Sequence, residues 1–363
     1  MSSALSQFRQ SPLFKPAIIV PTIIMLIFSF FNLTAPTDPV RIASSFNLGI
    51  VNQDEGLTFP PLNLASKAME GMAGNLPFSV TKFEDQNIAR SALEDGQVAA
   101  VLIFPTDFSK LAVGDQNFAI EILNTQHLTV AETQMASQLP MLVQTSLSAA
   151  VAGLRLAMSQ GQMPSLELTV TSDVETLHSA QSVATLPAPF VMTFTSWLAA
   201  MVGTILLFLA SQEMAPKERA YVRTVVPLIT MGLASFVLAL VIATAASQWS
   251  QLILIWLNVW FISLCLAWFF IGIFEIVGLW ALLIILPTVF YQSAIGGAMA
   301  PLVAAPEWLQ WFGDLIPFDK IGAVYRGVMY KAEVSLPLSW LGGGVFIGLG
   351  LIWGRTLFKH NKT

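Results

Sequence analysis

Long apolar runs, unbroken by charge, alternate along this chain with shorter polar stretches. A bilayer core about 30 Å thick takes roughly 20 apolar residues in helix, because lipid offers no partner for an unpaired backbone amide. Six stretches meet or approach that length: Ala17 to Leu33, Ala188 to Ala210, Thr224 to Ala246, Gln251 to Phe274, Ile276 to about Ile295, and Leu336 to Gly354. The fifth stays uncharged as far as Pro306 but is punctuated by Pro287, Gly296, Gly297 and Pro301, so it is expected to break near the surface and dip back. The first has Arg9 and Lys15 before it, as a secretory signal does. Its apolar run exceeds the usual signal core of about 7 to 15 residues, and Pro36 and Pro39 crowd the cleavage position, so retention is expected.

Residues 34–187 follow a different pattern. Phe78 to Phe83 and Phe118 to Leu123 alternate apolar and polar residues as half-buried strands do, and Val98 to Phe104 is a continuous apolar run. Phe46 to Val51 is a further strand, ended by the turn-prone Asn52-Gln53-Asp54-Glu55-Gly56. Leu62 to Met72 and Asp85 to Glu94 have helical spacing, stopped by Gly74 and Gly96. The order strand, helix, strand, helix, strand, strand predicts an α/β unit. From Thr129 to Gln160 runs a helix-like stretch of Ala, Leu, Gln and Met, kinked at Pro140, with only Glu132 and Arg155 charged. Its Gln, Ser and Thr face suits a partner-facing or subunit-facing surface; the plainer reading is that it packs on the sheet.

Composition agrees with the spans. The 363 residues are 55% apolar and only 11% charged, against roughly 25% charged in a soluble domain. A net charge of −5 without a basic cluster argues against a nucleic-acid partner, since phosphate binding needs grouped cations. The expected fold is therefore an α-helical polytopic membrane protein with six transmembrane helices and an α/β domain between helices 1 and 2. Its parts are residues 1–33 (N-terminus and first helix), 34–187 (α/β domain) and 188–363 (five-helix domain, with an outer amphipathic segment near 297–336). Arg9, Lys15, Lys217, Arg219, Arg223, Arg355, Lys359 and Lys362 fall in just 37 positions of one set of connections, against nine Lys and Arg in 194 positions of the other. Basic residues stay cytoplasmic, which puts both termini inside and the α/β domain outside. The lone Cys265, in an apolar run, leaves the redox compartment open.

Catalytic chemistry is hard to find. The phosphate-cradling string G-x-x-x-x-G-K-[ST] is absent, so ATP hydrolysis would belong to another polypeptide. His127 and His178 lack the spacing of a metal site and are expected as surface residues, as is His360. Ser196 does not sit in G-x-S-x-G, so no serine nucleophile is expected. Neither catalytic residues nor a metal or cofactor are expected, and the chain is not read as an enzyme. Glu275, the one acidic candidate near the spans, is expected in an exposed turn, capping the fifth helix. The loop from Ser211 to Arg223 is the longest and most charged inner connection. Glu213, Lys217, Glu218, Arg219 and Arg223 there suit a short helix docking on a motor subunit, or an anchor that reaches lipid phosphates. Beyond the fifth span, Pro306, Trp308, Trp311, Pro317 and Arg326 mark an aromatic amphipathic segment expected along the outer leaflet, as a plug of the outer mouth or a passive belt.

Three strings carry a resemblance: Leu48-Gly49-Ile50-Val51-Asn52-Gln53-Asp54-Glu55-Gly56, Ala99-Ala100-Val101-Leu102-Ile103-Phe104-Pro105-Thr106-Asp107-Phe108-Ser109, and Pro306-Glu307-Trp308-Leu309-Gln310 with Pro317 and Arg326. With one span, a large insert and five more spans, the chain resembles the permease subunit of ABC type-2 exporters. The resemblance implies a bacterial cytoplasmic (inner) membrane location and a homo- or heterodimer with a second permease subunit. It also implies a separate ATP-binding subunit and export of a drug-like, lipid-like or polymer substrate. The near absence of charge in the spans favours an amphipathic or hydrophobic one. One departure stands out: the family's inner loop carries an acidic residue followed by Gly-Thr, and this loop has Glu213 and Glu218 without Gly-Thr. In that respect it looks more like the phage-infection-protein (Pip) branch. The corresponding alternative function is a non-transporting scaffold or receptor whose α/β domain binds a partner.

Overall fold

The computed structural model describes residues 39–59, 61–75, 78–114, 117–158, 170–295, 300–316, 318–333 and 335–360. The expected first span and Pro317 lie outside the described residues. A short helix α1 (Pro39–Ser45) leads into β1 (Asn47–Asn52), α2 (Leu64–Asn75), β2 (Ser79–Phe83), α3 (Gln86–Glu94), β3 (Ala100–Phe104), α4 (Phe108–Val113), β4 (Phe118–Thr125), α5 (Val130–Met158) and β5 (Val170–Leu177). The five strands form one sheet in the order β2-β1-β3-β4-β5. β1 runs parallel to β2 and β3, β4 is antiparallel to β3, and β5 is parallel to β4.

The strand period of two sorts the side chains onto two faces. Leu48, Ile50, Leu102, Phe104, Ile120 and Ile122 point to one side, where they form a core with α2, α4 and the Leu139, Val143, Leu147 and Val151 stripe of α5. Val51, Val101, Ile103 and Leu123 point to the other, against Ala89, Ala92 and Leu93 of α3. Gly49 sits tightly in β1: a Cβ there would stand 3.0 Å from the Phe83 ring and 3.1 Å from Val101, so those side chains would have to give by a few tenths of an ångström. α3 starts where Asp85 caps it, its Oδ1 accepting from Asn87 N and Ile88 N. The edge strand β5 has no counterpart among the strands expected from sequence. Its run Val-Thr-Ser-Asp-Val-Glu-Thr-Leu is polar and mostly exposed, so no apolar periodicity marks it.

Among the described residues, four helical stretches are long and apolar enough to cross a membrane: Val130–Leu156, Ala188–Ala210, Pro216–Ala245 and Trp249–Thr288, with Leu338–Gly354 shorter. The first is α5, whose apolar stripe is used on the sheet. The others belong to a bundle of α6 (Ala188–Ala210), α7 (Pro216–Ala245), α8 (Leu252–Val277), α9 (Leu282–Ile295), α10 (Glu307–Leu315), α11 (Phe318–Tyr330) and α12 (Leu338–His360). α8 is the central post, packed on α6, α7 and α12. It is zipped to α7 by Trp256, Trp260 and Trp268, whose indole N–H groups donate to the carbonyls of Gly232, Leu228 and Thr224. Against α12 the approach is backbone to backbone: a Cβ on Gly348 would meet Trp268 O at 2.3 Å.

The stretch expected as the fifth span differs. Gly278 takes a left-handed φ of 62° and ends α8, a 3-10 turn covers Gly278–Ala281, and α9 begins only at Leu282. α9 is described from Leu282 to Ile295, and its first half belongs to the stretch Trp249–Thr288 that is long and apolar enough to cross a membrane. The segment near 297–336 divides into two parts with different surroundings. α10 keeps Trp308 and Trp311 exposed, but α11 is interior, with Ile321, Val324, Tyr325 and Val328 buried against α6 and the bundle. α11 therefore packs as one of the bundle's inner helices.

Candidate functional site

Three places in the bundle carry chemistry. At one end, α6 turns into α7 through residues 211–215, and α7 then runs 30 residues, about 45 Å, to Ala245. Beside that far end Ser182 Oγ donates to Ala245 O, so the α6–α7 turn lies at the opposite end of the bundle from the α/β unit. The expected separate docking helix is instead the first turns of α7. Glu213 stands exposed in the turn, and Lys217, Glu218 and Tyr221 are exposed on α7. Arg219 braces the turn, its Nη2 donating to Gln212 O at 2.7 Å and Met214 O at 2.9 Å.

Arg223 does not share that surface. It is fully buried, pairs with Glu275 of α8, donates from Nε to Ser211 Oγ at 2.7 Å and from Nη2 to Phe208 O at 3.1 Å, and lies 4.6 Å from the Phe208 ring centroid. Glu275, 7% exposed and inside α8, is not the exposed cap expected of it. One guanidinium thus ties the end of α6, the start of α7 and the end of α8 together beneath the exposed turn. Sequence reasoning missed the pair because each residue flanks an apolar run, where a charge reads as a surface anchor.

The second place is a cavity of about 430 Å³ among α6, α8, α9 and α12. Trp197, Phe269, Phe270, Ile285, Trp340 and Ile347 line it, with Thr288 and Ser339 supplying hydroxyls and Gly343 and Gly344 leaving room along α12. Trp197 is 1% exposed, and its Nε1 is buried with no hydrogen-bond partner among the described residues. Phe318 and Phe270 hold its ring at centroid distances of 4.5 and 5.4 Å. Next to it, Ser196 Oγ and Tyr325 Oη share a buried hydrogen bond of 2.8 Å that fixes α11 to α6.

The third is the seam between the α/β unit and the bundle. The β4–β5 register pairs Thr125 with Leu177, so the residues just beyond, His127 and His178, emerge side by side. Their rings meet edge to face at 5.5 Å, and His178 Nδ1 lies 2.9 Å from Tyr330 O of α11. Neither is the free surface histidine expected from the sequence. Burial above all, then the neighbouring His178 and Arg326, pushes the His127 imidazole down to about 4. Arg326 lines an adjoining polar cavity of about 420 Å³ with His127, Glu132 and Asp319, so it belongs to this seam. Arg41 crosses the same junction, donating to Ala305 O at 3.1 Å, with Glu307 3.5 Å away. Pro306 caps α10. Among the described residues no cluster of His, Cys, Asp or Glu could hold a metal ion.

Two of the three strings behind the resemblance prove to be one structural unit. β1 and β3 are neighbours, and Asp54 after β1 accepts from Ser109 N and Ser109 Oγ at the start of α4. No protein-family model matches the chain. No curated protein matches it either. Among solved structures, a likeness of 16% identity and TM-score 0.28 is found to the crystal structure of a domain of a putative ABC type-2 transporter from Thermotoga maritima MSB8. It covers 36% of this chain and 86% of that one, and a likeness that slight carries no argument on its own.

Proposed function

We propose that this chain is the membrane-spanning permease subunit of an ABC-type exporter in a bacterial cytoplasmic membrane, moving an amphipathic or hydrophobic substrate outward. Two such subunits act together, both termini face the cytoplasm, and a separate subunit hydrolyses ATP. The observation that carries this reading is the cavity walled by Trp197, Phe269, Phe270 and Trp340. Its apolar walls suit a hydrocarbon or aromatic body, and the Thr288 and Ser339 hydroxyls on its lining suit a single polar group on that body. The braced turn from Gln212 to Glu218, at the far end from the α/β unit, supplies the exposed surface for a motor, and the Arg223–Glu275 pair connects it to α8.

Two experiments test this. A photocrosslinking residue at Glu213 or Lys217 should capture a nucleotide-binding protein in cells. Recovering none, in cells that still export, removes the ATP-driven version and leaves the alternative of a Pip-like scaffold or receptor. Gly344→Trp, which fills the cavity beside Phe269, should abolish both export and binding of a hydrophobic fluorescent probe; unchanged export would exclude the cavity as the route.

A further inference from the structure

α5 is 29 residues and about 44 Å long, and the sheet takes only one of its faces. Between Glu132 and Arg155 it carries no charged residue, and Arg155 turns inward, donating to Ala112 O and Leu111 O at 3.0 Å. The opposite face shows Gln138, Met141, Leu142, Thr145, Ala149 and Gly153. Met141 is 73% exposed and Leu142 47%. Residues 34–187 as a whole hold fifteen acidic and six basic residues, a net charge of −9.

We infer that the bare face of α5 is where a second copy of this chain docks. The inference rests on the two-subunit reading above and names its contact surface. Two units of the same strong negative charge repel wherever their charged surfaces meet, so like can pack on like only through a neutral face. A membrane is the poorer occupant: helices that lie on lipid carry Lys and Arg on their polar face, and this one has neither there. The small side chains of Ala149 and Gly153 let a partner helix come close, and a Cβ on Gly153 would meet nothing within 4 Å. A helix strip about 44 Å by 10 Å gives roughly 440 Å², while a stable interface takes about 800 Å² per partner. The apolar groove of about 470 Å³ beside it, between α2 and α5 and lined by Leu64, Ala68, Met72, Phe108, Ala150 and Leu154, offers the remaining contact.

The chain's one cysteine, Cys265, is buried in α8, and a Cys265→Ser background leaves crosslinking silent. Single cysteines replacing Met141, Thr145 or Ala149 in the full chain, oxidised in native membranes, should give a product of twice the chain mass from at least one position. A cysteine at the exposed Lys82 should give none. Native mass spectrometry of the same membranes separates the outcomes. A dimer without any α5 crosslink overturns this inference and leaves the two-subunit reading standing; a monomer overturns both. A crosslink to a different protein also overturns the inference. Thr145→Glu with Ala149→Glu, both at exposed positions, should weaken the dimer at least tenfold with circular dichroism unchanged, and an undiminished dimer would refute the contact.

Discussion

Two arginine–glutamate pairs of this chain stand in opposite surroundings. Arg90 of α3 meets Glu175 of β5 on the surface of the α/β unit, with side chains 36% and 45% exposed. Arg223 meets Glu275 in the bundle, at 0% and 6%. Water screens the first pair and can replace either partner. The second is shut away from water; its members hold each other, and Arg223 also donates to Ser211 Oγ and Phe208 O, as burial of a charge demands. Charge in the α/β unit stands on an exposed surface. In the bundle, one pair fixes three helix ends.

The sharpest way to break this contrast is Glu275→Gln. It leaves the Arg223 charge buried without its carboxylate and should cost about 3–5 kcal/mol, measured by thermal or denaturant unfolding in detergent. The double variant Arg223→Met with Glu275→Met removes both charges and should unfold near the parent or above it. If the single change costs no more than the double, the pair is not a buried clasp.

The seam comes next in size. His127 is held near 4 in the folded protein against an ordinary 6.5, so the unfolded chain takes up a proton first as the pH falls. Its contribution is complete above about pH 6.5 and is lost progressively down to about pH 4. That loss amounts to about 2 kcal/mol, at roughly 1.4 kcal/mol for each tenfold difference in proton affinity and with a discount for partial exposure. Melting temperature followed from pH 7 to pH 4 should drop less steeply in His127→Gln. Equal slopes would show that the imidazole is not held neutral by the junction.

How much of this the sequence revealed depends on which period the burial follows. Strands β1 to β4 and the apolar helices were visible because one face or a whole run is apolar. β5 was not, because an exposed edge strand of Thr, Ser, Asp and Glu has no apolar pattern. The turn at Glu213 and the exposed Lys217 and Glu218 were legible as charge between apolar runs. Arg223 and Glu275 lie 52 residues apart and meet only through the packing of α7 on α8, which no local pattern encodes. The same holds for His127 and His178, brought together by the register of β4 against β5. The interior position of α11 was hidden for a different reason: an aromatic, amphipathic segment looks alike whether its apolar face meets lipid or other helices.

Two smaller changes sharpen the comparison from the α/β side. Asp85→Ala removes the oxygen that accepts from Asn87 N and Ile88 N at the start of α3 and should cost about 1 kcal/mol, most of it restored in Asp85→Ser. Glu175→Gln is the surface counterpart of Glu275→Gln and should cost less than about 1 kcal/mol. Because water reaches both partners, that cost should shrink further as salt rises from about 0.05 to about 0.5 M, in step with a Debye length that falls well below about 10 Å. Denaturant midpoints of the full chain at the two salt concentrations make the comparison direct. A cost for Glu175→Gln that equals that of Glu275→Gln and ignores salt would mean that exposure does not set what these pairs are worth, and the opposition between the two regions would fall.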